Sequence, residues 1–171
     1  MKNELKNIEQ VIGIISDTHG ILRPEAVEAL RGVELILHAG DVGSPDVLDA
    51  LKGIAPVVAV RGNNDKGPWA EQLPAWEVTE VGGVFIYMIH DVKEIDLSPA
   101  AAGFHVVVSG HSHKPSVEER KGVLYVNPGS AGPRRFTLPV SVARLTVRGE
   151  TVNAEVVELS VSISRRAALD L

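Results

Sequence analysis

The sequence contains no cysteine, which excludes disulfide bonds, zinc–thiolate sites and cysteine nucleophiles. No apolar run approaches the roughly 20 residues of a membrane-spanning helix, and the polar N-terminus MKNELKNIEQ lacks the apolar stretch of a secretory signal. A basic excess is also missing, because the formal net charge is −5, which argues against general binding to nucleic-acid backbones. We therefore expect a cytoplasmic, soluble protein with no membrane partner.

The length of 171 residues predicts one domain. We expect it to span residues 11–160, between a flexible N-terminal tail at 1–10 and a C-terminal tail at 161–171. Charged residues make up 23% of the chain, a share that is ordinary for a globular protein.

Strands and helices alternate in the first half of the chain. Short apolar runs predict buried strands at 11–16, 33–38 and 56–60. Between them, 24–31 begins with Pro and is followed by Gly32, while Ser44 and Pro45 open a second helix that Gly53 ends. This β-α-β-α-β order predicts a parallel sheet with right-handed crossovers.

Hairpins dominate the second half. Strand pairs are predicted at 76–81 with 84–89, at 117–120 with 123–126 and at 140–147 with 152–159. A short helix near 98–102 and a strand at 105–109 lie between them. Because a single parallel sheet cannot hold so many strands, we expect two stacked sheets with helices outside. An exposed hairpin edge could also support a homo-oligomer.

Potential metal ligands follow five of these strands within about three positions of the C-terminal end. The crevice beyond the carboxyl ends of parallel strands is where ligands bind in open α/β sheets. The residues concerned are Asp17 and His19, Asp41, Asn63, His90, and the pair His111 and His113.

Each of these residues has an ordinary structural alternative. Asp17 and Asp41 could cap helices, and Asn63 could serve a turn. His111 and His113 are harder to dismiss, because two imidazoles two positions apart at a strand end converge on one point. Taken together, the set favours a metal site.

Seven ligands are too many for one tetrahedral zinc and suit a two-metal centre with ions ~3.5–4 Å apart. His, Asp and Asn donors without sulfur suit Mn, Ni, Zn, Fe or Co, and Mg is a further candidate. Two divalent cations outweigh the charges of Asp17 and Asp41, and the centre stays positive even with a bridging hydroxide. The neutral amide of Asn63 preserves that surplus, which favours an anionic phosphoryl substrate.

The ligand candidates belong to recognisable short motifs: Asp17-Thr18-His19, Gly40-Asp41-Val42-Gly43, Gly62-Asn63-Asn64-Asp65, Gly110-His111-Ser112-His113, and Asn127-Pro128-Gly129-Ser130 followed by Pro133-Arg134. In order and spacing, from 11 to 134, this set resembles the calcineurin-like metallophosphoesterases. The nearest branch is that of the small bacterial and archaeal phosphodiesterases related to the retromer scaffold subunit.

The resemblance implies an α/β fold: an αββα four-layer sandwich of two mixed β-sheets flanked by helices. It implies one divalent ion on Asp17, His19 and His113 and a second on Asn63, His90 and His111, with Asp41 bridging. A hydroxide between the two ions, Mn²⁺ first among the candidates, would attack a small phosphodiester in line. A phosphomonoesterase and a non-catalytic interaction scaffold of the same fold are the alternatives.

Two catalytic-site candidates accompany the ligands, and one of them departs from the family pattern. Asp65 is expected to orient its neighbours. Asn64 stands where many relatives carry His, and an amide cannot act as a general acid, a contribution of roughly 10²–10⁴-fold in rate.

Two further residues leave open questions. Asp91 stands where Gly usually follows the ligand His90, and it could hydrogen-bond an imidazole, add negative charge near the substrate, or face solvent. His38 could be a buried supporting residue or a further ligand, with the supporting role favoured.

Overall fold

The computed structural model describes residues 8–161, so the two predicted tails lie almost wholly outside the described residues. In chain order the strands are β1 (Glu9–Ile15), β2 (Leu35–His38), β3 (Val57–Ala59), β4 (Trp76–Val81), β5 (Val84–Ile89), β6 (Val106–Val108), β7 (Ser116–Arg120), β8 (Val123–Asn127), β9 (Ser141–Arg148) and β10 (Thr151–Glu158). The α-helices are α1 (Pro24–Ala29), α2 (Pro45–Lys52) and α3 (Pro68–Glu71).

The first sheet has the strand order β10-β9-β1-β2-β3. Strands β1, β2 and β3 run parallel, as the alternation in the first half predicts, and β9 joins β1 antiparallel. Pairing begins at Glu9, opposite Arg148, and so extends into the segment predicted as tail. The N-cap of α2 also forms as expected, since Ser44 Oγ accepts a hydrogen bond from Asp46 N at 3.2 Å.

The second sheet has the order β4-β5-β6-β8-β7. It is also mixed, because β5, β6 and β8 are parallel while the β4–β5 and β7–β8 hairpins are antiparallel. All three predicted hairpins are present, the third as β9–β10. The predicted α/β sandwich of two mixed sheets is confirmed.

Apolar side chains from both sheets form the central core, including Ile14 and Leu37 from the first sheet and Ile86 and Val106 from the second. Helices α1 and α2 cover the outer face of the first sheet, where Leu30 and other side chains form a second apolar cluster. The outer layer on the second sheet is thin. There, Val92, Ile95 and Phe104 cover Tyr87, Ile89, Val107 and Val123, and a 3-10 turn forms at Val92–Glu94.

The prediction of a helix near 98–102 was wrong. This segment forms turns, with one helix-like hydrogen bond from Ala102 N to Ser98 O at 2.9 Å. Gly103 then takes a left-handed conformation with φ of 83°, which stops any continuation. Conversely, the short helix α3 was not predicted, because four residues are too few to show a periodic pattern.

Within residues 8–161, no helix has the length and apolar character that crossing a bilayer requires.

Candidate metal centre

All seven predicted ligands meet in one region, beyond the C-terminal ends of β1, β2, β3, β5 and β6. Asp17, His19 and His113 form a first cluster, whose ligand atoms lie within 4.8 Å of one another. His113 Nε2 is 3.3 Å from Asp17 Oδ1 and 3.4 Å from His19 Nε2. Two ring nitrogens this close to each other and to a carboxylate oxygen face a common point.

A second cluster surrounds the side-chain oxygen of Asn63. Asn63 Oδ1 lies 3.0 Å from His90 Nε2 and 3.0 Å from His111 Nδ1. Asp41 stands between the two clusters, because its Oδ2 is 3.4 Å from His90 Nε2 and 3.7 Å from His19 Nε2. These are the same residues that the family resemblance groups into two ligand sets joined by Asp41, and those ligand sets stay a prediction.

The donor atoms fit a pair of divalent cations. Asp17 Oδ1 is buried and accepts no hydrogen bond from any described residue, although three imidazole Nε2 atoms lie 3.3 to 3.9 Å from it. A buried carboxylate oxygen without a partner is costly, and a cation in contact with it would remove that cost. The assignment of individual ligands to individual ions stays a prediction.

The titratable groups are poised for cation binding in the metal-free protein. Burial alone raises the pKa of Asp17, but contacts with His113 and Ser16 outweigh it, so the pKa lies below its usual value. The same holds for Asp41: burial raises its pKa, but the contact with His90 and the hydrogen bonds from Asn64 have the larger effect, so the pKa is lowered. Burial lowers the pKa of His90, but the contact with Asp41 and the charge of Asp17 leave it raised.

The backbone at the site is strained. Of the seven non-glycine residues with positive φ in the described chain, five are predicted ligands: Asp17 (55°), His19 (46°), Asp41 (52°), His111 (70°) and His113 (62°). Such conformations cost of order 1–3 kcal/mol each and concentrate at functional sites. Sequence reasoning did not find this feature, because the side chains are not the glycines that usually indicate it.

Two glycines allow the loops to approach this closely. A Cβ on Gly62 would overlap the backbone nitrogen and Oδ1 of Asp41. A Cβ on Gly110 would overlap Ser16 Oγ and lie 2.6 Å from Asp17 Oδ2. Each of these glycines precedes one predicted ligand, and its lack of a side chain leaves room for a second one, Asp41 beside Gly62 and Asp17 beside Gly110.

The profile of the calcineurin-like phosphoesterase superfamily domain matches residues 11–150. The chain belongs to this superfamily. A probable metallophosphoesterase of Methanothermobacter thermautotrophicus is 38% identical over 167 residues, covering 91% of this chain and 96% of the relative. A structure described as a novel archaeal phosphodiesterase is 25% identical with a TM-score of 0.72, covering 86% of this chain and 100% of the other. Vacuolar protein sorting 29 from Cryptosporidium parvum shares the fold, with 22% identity, a TM-score of 0.71 and coverage of 91% and 100%.

Within this superfamily fold, Asp65 contacts the backbone of the ligand-bearing loops. Its buried carboxylate accepts hydrogen bonds from Val42 N (3.2 Å), Gly43 N (2.9 Å) and Gly62 N (2.9 Å). These bonds join the loop after β2 to the loop after β3, so Asp65 holds Asp41 and Asn63 in register.

Asn64 is tied to the carboxylate between the clusters. Its backbone N–H donates to Asp41 Oδ1 at 2.8 Å, and its side-chain Nδ2 donates to Asp41 Oδ2 at 2.9 Å. Two hydrogen bonds from Asn64 therefore restrain the carboxylate of Asp41.

His38 is completely buried and belongs to neither cluster. Its Nδ1 accepts a hydrogen bond from Gly40 N at 3.1 Å, so Nε2 carries the proton and donates to Thr18 Oγ1 at 3.0 Å. The Thr18 hydroxyl donates in turn to Val42 O at 2.8 Å. Burial lowers the pKa of His38 to about 4, against the opposing effect of nearby carboxylates. His38 thus supports the loops as a neutral imidazole, which is the favoured of its two predicted roles.

Asp91 lies beside an imidazole, one of the three placements that the sequence left open. Its Oδ2 is 3.6 Å from His111 Nε2. Together with Arg61, Glu94 and the second cluster, it lines a cavity of about 220 Å³.

Proposed function

We propose that this chain is a metal-dependent phosphodiesterase that hydrolyses small phosphodiesters with two divalent cations, Mn²⁺ being the first candidate. The observation that carries the proposal is the pair of donor clusters that share Asp41. When bound, two such ions would activate a water molecule as nucleophile and polarise the phosphoryl oxygens.

The protein residues select an anionic substrate by their charge. Among the seven proposed ligands, only Asp17 and Asp41 are carboxylates. Asn63 contributes a neutral oxygen, so the loaded centre keeps a positive surplus that attracts a phosphoryl group. A carboxylate in place of Asn63 would cancel much of that attraction.

Asn64 favours diesters with a good leaving group over esters whose departing oxygen needs a proton from the protein. Its side-chain Nδ2 donates to Asp41 Oδ2, beside the backbone N–H that donates to Asp41 Oδ1, and an amide cannot release a proton to a departing oxygen as a general acid does. The similarity to a structure named as an archaeal phosphodiesterase supports the same choice.

The test is hydrolysis of bis(4-nitrophenyl) phosphate and of 4-nitrophenyl phosphate with Mn²⁺, Ni²⁺, Zn²⁺ or chelator. We expect metal-dependent turnover, faster for the diester, that Asp41→Ala and His90→Ala abolish. His105→Ala is the matched control, because His105 is outside both clusters and bonds the backbone of Phe85. Activity indifferent to chelator and to both site variants would contradict the proposal.

The same samples distinguish the enzyme from a non-catalytic interaction scaffold. If the protein binds two ions per chain but turns over neither ester, the non-catalytic scaffold replaces the enzyme as the preferred function.

A further inference from the structure

Asp91 has two oxygens that face different partners. It begins the 3-10 turn at Val92–Glu94, where Oδ1 accepts a hydrogen bond from Lys93 N at 3.0 Å and so caps the turn. This bond leaves Oδ2 free to point toward His111 Nε2, 3.6 Å away. The cap therefore holds the side chain with Oδ2 directed toward the imidazole.

The ring of His111 is oriented by polar contacts at both of its nitrogens. Nδ1 lies 3.0 Å from Asn63 Oδ1, inside the second cluster, while Nε2 faces Asp91 on the opposite side of the ring. When Nδ1 binds an ion through its lone pair, the proton of the neutral ring lies on Nε2, where Asp91 can accept it.

His111 needs such a partner more than the other imidazoles do. Its side chain is 44% exposed, against 24% for His19, 6% for His90 and 4% for His113, so packing restrains it least. The other imidazole of the second cluster already has a partner, since His90 Nδ1 lies 2.7 Å from the carbonyl oxygen of Ala39. For His111, the side chain placed to act as the corresponding partner is Asp91, 3.6 Å away.

We propose that Asp91 is a positioning residue for the second cation site: it fixes the tautomer and orientation of His111 and strengthens its hold on the ion. The inference rests on the proposed two-cation function. The present separation is slightly too long for a hydrogen bond, but both side chains are partly exposed and can close it once Nδ1 is engaged. Partners of this kind typically change metal affinity or activity 10–100-fold.

Two simpler roles for Asp91 can be separated from this one. Asp91→Ser keeps an N-capping oxygen but is too short to reach His111, so it tests the contact apart from the cap. Glu94→Gln removes the same charge from the wall of the same cavity, and no ion pair joins Glu94 to a described residue, so it tests charge apart from contact.

The experiment is calorimetric titration of Mn²⁺ into chelator-treated full-length protein, combined with NMR of the imidazole nitrogens after loading with Zn²⁺. We expect Asp91→Ser to weaken the binding of one of the two ions about 10–100-fold and to leave the binding of the other unchanged. The perturbed resonances should be those of His90 and His111, and His111 in the unsubstituted protein should carry its proton on Nε2. Glu94→Gln should bind both ions as the unsubstituted protein does, and the metal-free Asp91→Ser should unfold at an unchanged temperature.

The outcomes separate this inference from the function on which it rests. Binding of fewer than two ions by the unsubstituted protein overturns both. Two-ion binding that Asp91→Ser leaves unchanged, an equal loss in Glu94→Gln, or a proton on Nδ1 of His111 overturns the role of Asp91 alone.

Discussion

Replacing Asp65 by alanine should destabilise the fold strongly, although Asp65 touches none of the proposed ligand side chains through a hydrogen bond. The carboxylate accepts three backbone hydrogen bonds, from Val42, Gly43 and Gly62, and is only 6% exposed. Hydrogen bonds to a charged group contribute about 1.5–3 kcal/mol each, which sets an upper limit of about 5–9 kcal/mol for the three. Water entering the vacated space would replace part of them, so we expect a loss of about 3–5 kcal/mol.

Asp65→Asn should show a smaller loss, because its remaining oxygen can serve at most the donors on one side of the carboxylate. At least one backbone N–H would then face the amide NH₂, and we expect a loss of about 1–3 kcal/mol. The free energy of unfolding would be measured by urea titration with chelator present, so that lost metal binding does not contribute.

Asp49→Ala is the matched control for Asp65→Ala. The Asp49 side chain is 73% exposed and lies 3.9 Å from Lys52, a surface pair, so its removal should change the free energy of unfolding by less than about 0.5 kcal/mol. If Asp65→Ala unfolds within about 1 kcal/mol of the unsubstituted protein, the reasoning from its three hydrogen bonds is refuted.

Three other substitutions test the surrounding loops and the chemistry. His38, whose pKa is lowered to about 4 from 6.5, binds its proton more weakly in the folded than in the unfolded chain. Stability should therefore fall by up to about 3 kcal/mol as pH drops from 6.5 through 4. His38→Gln should remove that part of the pH dependence in urea unfolding with chelator, and equal slopes would contradict it. Gly62→Ala should push Asp41 aside and weaken Mn²⁺ binding at least about tenfold by calorimetry. Gly53→Ala, at an ordinary helical φ of −69°, should bind Mn²⁺ normally, and equal affinities for both variants would count against the steric argument. Asn64→His should accelerate hydrolysis most for esters with poor leaving groups, whereas an equal change for good and poor leaving groups would argue against a missing acid.

The strands were predictable because each is a short apolar run bounded by turn residues. Two stacked sheets were expected because the β-α-β-α-β half predicts a parallel sheet and three antiparallel hairpins follow it. The family resemblance then implied the four-layer sandwich. Short helices were harder to predict from the sequence. The segment near 98–102 has helix-forming alanines, but Gly103 takes a left-handed conformation that ends the turn. The thin outer layer also offers few side chains to pack against, and helices of this length depend on packing.

The sequence by itself determined the composition of the candidate centre. Carboxylate, amide and imidazole groups stand within a few positions of strand ends, and parallel strands bring their carboxyl ends to one edge. The charge argument behind the proposed phosphoryl substrate uses the same residue types and needs no coordinates.

Only the tertiary structure decided which atoms face one another. The carboxylate of Asp65 holds two loops from a position 22 residues beyond Gly43, and Asp91 Oδ2 lies 3.6 Å from His111 Nε2. Such contacts depend on how loops from different strands pack and on the left-handed backbone at Asp17 and Asp41. The two contacts join loops that follow neighbouring strands of the same sheet, β2 with β3 and β5 with β6, but they link residues about 20 positions apart in the chain, so no local sequence pattern shows them.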